Sequence, residues 1–314
     1  MKKIISPLIL LSAAFIWGIA FVAQKAASEV SLFTLCASRS IVAVIALIPV
    51  VMIFDRVGGN KRKLFSKKGI DLSKKELIGG LLAGVFLFIA TALQQAGINN
   101  TDAGKASFIT ALYVVIVPIF ALVFGKRSPI NAWVGVGIAV VGFYLLCIKE
   151  GFTVATPDLL VFACAFVFAM QILTIDKFIE GSDGVRLSLV QFTTVSILSL
   201  ASALIFETPI DFSKIGAALP EILFLGIGSS CIAYTLQIIG QKNTEPAVAS
   251  IILSLESVFG AVASAIILGE VMLPKEYFGC ALVLLSVIIS QLDFSAIAKK
   301  LGIEKKNGSP SEKQ

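Results

Sequence analysis

The chain predicts an all-α integral membrane fold, with ten transmembrane helices arranged as two inverted-topology five-helix repeats. Three observations carry that expectation. The 314 residues are 57% hydrophobic and only 15% charged, with a mean hydropathy of +0.95, where a soluble domain carries about 25% charged residues. The apolar residues lie in long continuous runs, without the polar–apolar alternation of an outer-membrane barrel. The chain also repeats itself at a displacement of 143 residues.

The apolar runs are expected at about 4–24, 31–54, 77–97, 103–124, 130–148, 157–178, 185–206, 217–239, 247–268 and 275–292. The first follows Met1-Lys2-Lys3. Cleavage after Ala23 would need a small residue at Phe21, so this run reads as a retained first helix rather than a signal peptide.

Lysine and arginine then orient the spans. Alternate loops hold 20 of the 26 basic residues: the N-tail, Arg56 to Lys75, Lys126-Arg127, Lys177 with Arg186, Lys242, and the tail from Lys299. The opposite loops hold only Lys25, Lys105, Lys149, Lys214 and Lys275. Both termini are therefore expected in the cytoplasm, with the chain multi-pass in the cell inner (cytoplasmic) membrane. The formal charge of +6 becomes a topology signal. The Lys61-Arg62-Lys63 cluster reads as facing anionic lipid, not nucleic acid. Residues 293–314 read as a polar, disordered cytoplasmic tail.

Composition removes several chemistries. No histidine is present, so Ser-His-Asp and Cys-His triads and HExxH zinc sites are excluded. Cys36, Cys147, Cys164, Cys231 and Cys280 sit singly in apolar runs and read as small hydrophobes. No catalytic, cofactor or metal residues are assigned.

The repeat is specific. Ile89 to Leu112 reads IATALQQAGINNTDAGKASFITAL, and Ile232 to Leu255 reads IAYTLQIIGQKNTEPAVASIILSL, with 11 of 24 positions identical and no gap. Asp102 over Glu245 adds an acidic match. The duplication divides the chain into residues 1–148 and 149–292, each with five spans. An odd number of spans sends the second half in from the opposite face, the inverted arrangement of many secondary transporters.

These residues resemble the EamA family of the drug/metabolite transporter (DMT) superfamily. The resemblance lies in Trp17-Gly18-x-x-Phe21, in Leu93-Gln94 through Ala106-Ser107-Phe108-Ile109-Thr110, and in Ala233-Tyr234-x-Leu236-Gln237 through Ser254-Leu255-Glu256 and Gly269-Glu270. It covers roughly residues 5–292. It implies a carrier of amino acids, related metabolites or amphipathic drugs. The family usually places proline after the ninth-span glutamate, whereas Ser257 follows Glu256 here, which leaves the local kink open.

Charges within the spans mark the candidate site. Glu256 lies 11 residues past Glu245, about 16 Å deep at 1.5 Å per residue. It reads either as a substrate-amine ligand or proton-coupling carboxyl, or as a fixed ion pair. Arg39, about 12 Å below the outer boundary, is the expected partner of Glu256 or of a substrate carboxylate. Lys105 near the outer interface either snorkels to water or serves the substrate. Trp17 lies mid-span and lines the cavity or packs in the core. Tyr113 holds the repeat position of Glu256. The equivalent Gln94 and Gln237 are read as bonding between helices. Gln171 and Gln191 are weaker candidates, and Ser250, Ser254, Ser257 and Ser264 form a packing stripe.

The resulting expectation is a secondary transporter that exports a small metabolite, such as an amino acid, by alternating access. Its partners are a small-molecule substrate and the lipid bilayer, with proton coupling through Glu256 left open, as is monomer against homodimer. A multidrug exporter or a lipid-linked sugar or polyamine exporter is the alternative within the superfamily. A channel or intramembrane enzyme is a distant one.

Overall fold

The long apolar runs form helices here despite internal prolines at Pro7, Pro49 and Pro118, because the backbone of a membrane span must satisfy its own hydrogen bonds. The computed structural model describes residues 2–57, 63–66, 69–101, 103–147, 155–269 and 273–292. Asp102, Glu270, Lys61, Arg62, Lys149 and the expected 293–314 tail lie outside the described residues.

The first half runs α1 (Lys2–Ala26), α2 (Leu32–Val57), α3 (Lys74–Ile98), α4 (Ala103–Ala111), α5 (Tyr113–Val123) and α6 (Ile130–Cys147). A two-residue antiparallel pairing, Phe65–Ser66 with Gly69–Ile70, lies between α2 and α3. The second half runs α7 (Thr156–Ile179), α8 (Gly184–Phe206), the short α9 (Phe212–Ala217) and α10 (Leu219–Leu223), and a π-helical stretch at Phe224–Ala233. It continues with α11 (Tyr234–Gln241), α12 (Pro246–Leu253), α13 (Glu256–Leu268) and α14 (Pro274–Gln291).

Among the described residues, eight segments are long and apolar enough to cross a membrane: Ile5–Ala26, Leu32–Arg56, Lys74–Ile98, Ala103–Val123, Thr156–Ile179, Gly184–Phe206, Leu219–Gln241 and Pro246–Ile267. The other two expected spans correspond to α6 and α14, of 18 residues each. The apolar part of α6 is the shorter Ile130–Leu145. α14 opens on Pro274, Lys275 and Glu276. The two pack against each other, with Asn131 Nδ2 donating to the Ser290 carbonyl at 2.6 Å.

Burial is inverted relative to a soluble protein. Val123, Ile205, Phe206 and Ile266 are 71–77% exposed, while Gln171, Gln191 and Ser188 are fully buried. An apolar exterior around a polar interior is stable only when lipid covers the exterior. This is a multi-pass membrane protein.

The halves interleave. α3 lies along α7 and α8, α2 along α8, and α1 along α13. The α2–α8 pair is tied at both ends by acids. At one end the Glu207 carboxylate accepts from the Phe33 and Thr34 backbone N–H groups and the Thr34 hydroxyl, each at 2.8 Å. Those donors belong to the first turn of α2, where unpaired N–H groups and the helix dipole favour an anion. At the other end Asp55 pairs with Arg186 at 2.7 Å and accepts from the Leu64 N–H at 2.7 Å. Arg186, only 1% exposed, also donates to the Asp71 carbonyl at 3.1 Å.

Asp55→Ala removes a buried ion pair to Arg186 and the acceptor of the Leu64 N–H, and should cost about 3–5 kcal/mol of stability. Lys214→Ala, which removes an exposed 3.9 Å pair with Glu29, should cost less than about 1 kcal/mol. Unfolding midpoints in detergent measure the contrast, and equal losses would contradict it.

Candidate functional site

Two of the spans are broken at matching points. α4 passes to α5 at Leu112, and α12 passes to α13 at Ser254–Leu255. Leu112 and Leu255 are equivalent in the repeat and share the same backbone, φ −60° and ψ −13°. Each leucine N–H donates three residues back, to Ile109 or Ile252, at 3.2 Å. In the second half Ser250, Ser254 and Ser257 donate their hydroxyls to the carbonyls of Ala247, Ile251 and Ser254 at 2.7–2.8 Å. Such short-range bonds compete with the regular ladder and bend a helix. The break that the missing proline left open is therefore present without it, flanked by serines that take up neighbouring carbonyls.

The broken spans cross, α4 against α13 and α5 against α12. α5 starts at Tyr113 and α13 at Glu256, so each break presents one of these side chains to the crossing point. Here the side chains leave a narrow central cavity. α1 contributes Trp17, Phe21 and Gln24, α2 contributes Arg39, and α3 contributes Gln94. The broken spans add Thr110, Tyr113, Leu253 and Glu256. Phe168 and Gln171 of α7, Ser229 of the π-helical stretch, and Tyr234 and Gln237 of α11 close the wall. Six of the seven expected site residues thus meet in one place: Glu256, Arg39, Trp17, Tyr113, Gln94 and Gln237.

The expected ion pair is not among the contacts. Arg39 donates through Nη1 to Gln24 Oε1 at 3.1 Å and through Nε to Ser230 Oγ at 3.3 Å, and forms no salt bridge with Glu256. Depth along a helix follows from residue count, but the direction a side chain faces follows from packing. Gly226 sets that packing. A Cβ there would fall 2.5 Å from the Val42 side chain and 2.9 Å from the Arg39 carbonyl, so a larger residue would push Ser230 away from the guanidinium.

Glu256 is 5% exposed. Its Oε1 and the neighbouring Tyr113 Oη are buried against each other, and neither has a well-formed hydrogen bond to any other group. A carboxylate and a phenol that meet only each other keep spare hydrogen-bonding capacity, and such a pair beside a cavity marks a place for a polar guest. Trp17 Nε1 donates to the Ser229 carbonyl at 3.4 Å, and its ring lies 4.6 Å from that of Tyr234. The equivalent glutamines both bond between helices. Gln94 donates to Thr110 Oγ1 at 3.1 Å, and Gln237 donates to Gln171 Oε1 at 3.2 Å. Gln171 donates in turn to Gln191 at 3.3 Å.

Lys105 lies apart from the cavity. It pairs with Asp158 at 2.6 Å, and Asp158 also accepts from Thr101 Oγ1 at 3.1 Å and from the Ala155 N–H at 2.8 Å. The lysine therefore ties α4 to the start of α7 instead of snorkelling free. Among the described residues no group of three or more histidine, cysteine or acidic side chains is placed to hold a metal ion.

The family profile of EamA-like transporters matches residues 4–148 and again residues 155–292. The chain belongs to the EamA-like transporter family. The two matches correspond to the duplication read from the sequence. The chain is also 31% identical over 297 residues to an Archaeoglobus fulgidus protein described as an uncharacterized transporter, covering 93% of this chain and 87% of that one. A crystal structure at 17% identity superposes with a TM-score of 0.73 over 94% of this chain and 98% of the other. At that identity the likeness is one of fold.

In this EamA-like transporter, sequence reasoning passed over Gln24, Thr110, Phe168, Ser229 and Tyr234 as wall residues. Thr110 and Tyr234 lie in stretches already singled out by the repeat and the family motifs, which is the signal that could have found them. Gln24 sits beside Lys25, whose Nζ caps the carbonyls of Ile98, Asn99 and Thr101 at 3.0–3.2 Å. No pattern marked Gln24 itself.

Lys105→Met should lower the unfolding midpoint, because it takes the counter-charge from the buried Asp158 carboxylate, at a cost of about 1–3 kcal/mol. The half-saturating substrate concentration should stay the same. A shifted half-saturation with an unchanged midpoint would place Lys105 in the site after all.

Proposed function

We propose that the chain is a secondary transporter that exports a small metabolite, such as an amino acid, across the cytoplasmic membrane by alternating access. One observation carries the reading: Arg39 from the first half and Glu256 from the second line the same buried cavity without pairing to each other. Opposite charges held apart suit a zwitterion, its carboxylate on Arg39 and its ammonium on Glu256. Gln24 and Ser230 hold the guanidinium in place, which limits the ordering cost of binding.

In this reading α6 and α14 also span, giving ten helices in two inverted halves, residues 1–148 and 149–292. Both termini and the 293–314 tail face the cytoplasm. The paired breaks at Leu112 and Leu255 are where each half bends, so that exchanging their conformations exposes the cavity to one side and then the other. A proton on Glu256 replaces the substrate ammonium as its counter-charge on the return step. Gln94, Gln237 and Trp17 shape the wall, and Lys105 is left out of the site.

A second reading is favoured by the aromatic wall. Trp17, Phe21, Tyr113, Phe168 and Tyr234 around one carboxylate also suit an amphipathic organic cation, as a multidrug exporter would need. Arg39→Gln separates the two readings, because it removes the anion site and leaves the cation site intact.

Proteoliposome uptake at several pH values tests the coupling. Glu256→Gln should flatten the pH dependence and raise the half-saturating concentration about 10- to 100-fold, the range of a lost hydrogen bond to a charged group. An unchanged pH profile and rate would dispose of the role given to Glu256.

A further inference from the structure

A second recess lies away from the central cavity, at the end of the bundle where α5 and α7 terminate. Its walls are Leu82 of α3, Ala121 of α5, Phe124 just beyond it, and Met170, Leu173 and Phe178 of α7, with about 1020 Å³ of space between them. Leu82 and Phe124 face outward, 44% and 60% exposed, so the recess opens sideways where lipid lies. Charge is confined to one end, at Lys126, Asp176 and Lys177.

That end is built with some precision. α5 stops at Gly125, whose φ of +78° is left-handed and suits glycine. The turn is locked by Gly125 N–H to the Leu122 carbonyl at 2.9 Å and Lys126 N–H to the Ala121 carbonyl at 2.8 Å. It delivers Lys126 to the mouth of the recess, where it pairs with Asp176. Lys177, in the last turn of α7, is exposed, with Nζ 5.8 Å from the centre of the Phe178 ring. One carboxylate against two ammonium groups leaves the mouth positive.

The duplication adds an independent argument. α13 also stops at a left-handed glycine, Gly269 at φ +71°, one place beyond the position that the 143-residue displacement pairs with Gly125. The residue after it is Glu270, whereas the residue after Gly125 is Lys126. Along the sequence, a lysine follows the helix-ending glycine in the first half and an acid follows it in the second. The lysine falls on the side where the loops hold 20 of the 26 basic residues. A purely structural turn has no use for that difference, but facing an anionic membrane surface on one side only does.

We propose that this recess between α3, α5 and α7 binds an anionic phospholipid of the cytoplasmic leaflet, its phosphate at Lys126 and Lys177 and an acyl chain along the apolar walls. Any lipid can fill an apolar groove in a bilayer, so the lysines supply the preference and the walls supply the length. The site is independent of what the central cavity carries. It rests on the orientation given above only for the choice of leaflet.

The test uses the full-length protein in neutral detergent, with lipid retention read by native mass spectrometry and by the thermal midpoint. Phosphatidylglycerol should be retained more strongly than phosphatidylcholine, and inorganic phosphate at the same concentration should neither displace it nor raise the midpoint. Lys177→Ala, at an exposed position, should weaken phosphatidylglycerol retention about 5-fold, and Lys126→Ala with Lys177→Ala about 30-fold, from roughly 1 kcal/mol per basic residue. Leu82→Trp, which fills the recess from its open side, should weaken both lipids. Equal retention of the two lipids, displacement by phosphate, or no effect of Lys177→Ala would overturn the site. Leaflet is read separately: Lys177→Cys in a cysteine-free background should resist a membrane-impermeant maleimide until expressing cells are opened. Labelling from outside would overturn the leaflet assignment while leaving the lipid measurements to stand.

Discussion

Hydrocarbon does not hydrogen-bond, and everything else in this molecule follows from that. A helix can be interrupted at membrane depth only where protein or a lined cavity takes over its backbone groups. Leu112 and Leu255 obey the rule together. Their breaks cross, each with tightened bonds to the residue three back, and the serines of α12 and α13 absorb carbonyls that water would otherwise have to satisfy. The same constraint draws Arg39 and Glu256 inward, because neither charge is affordable against lipid. The central cavity is thus a consequence of solvation as much as of shape.

Stiffness and compliance are distributed accordingly. α2 and α8, one from each half, run side by side and are fastened at both ends, by Glu207 on the first turn of α2 and by Asp55 on Arg186. Both fastenings use charged groups that are part-buried or buried, where such bonds are strongest. The crossing spans have the opposite character, four half-helices meeting at two discontinuities. A molecule built this way has its halves fastened along α2 and α8 and two helix discontinuities beside the cavity.

The sequence made the duplication, the apolar spans and the charged candidates legible, because each depends on composition and spacing along the chain. Tyr113 and Glu256 could be matched at a distance of 143 residues without any structure. What stayed hidden depends on rotation about helix axes. Arg39 was placed at a depth that reaches Glu256, yet it turns toward Gln24 and Ser230 because Gly226 lets the π-helical stretch close on α2. Lys105 was read as interfacial, which says nothing of Asp158 arriving from another helix. The π-helical stretch itself has no signature in its residues, and it alone presents both the Ser229 carbonyl to Trp17 and the Ser230 hydroxyl to Arg39.

The central claim is that the cavity between Arg39 and Glu256 opens alternately to the two sides of the membrane. Ser229→Cys in a background lacking the native cysteines places one thiol in the cavity wall with little change of volume. Labelling it with an impermeant maleimide in right-side-out and in inside-out vesicles tests the claim most directly. Reaction is expected from both sides, slowed from both by a saturating transported substrate. Reaction from one side only, under every condition, would contradict it.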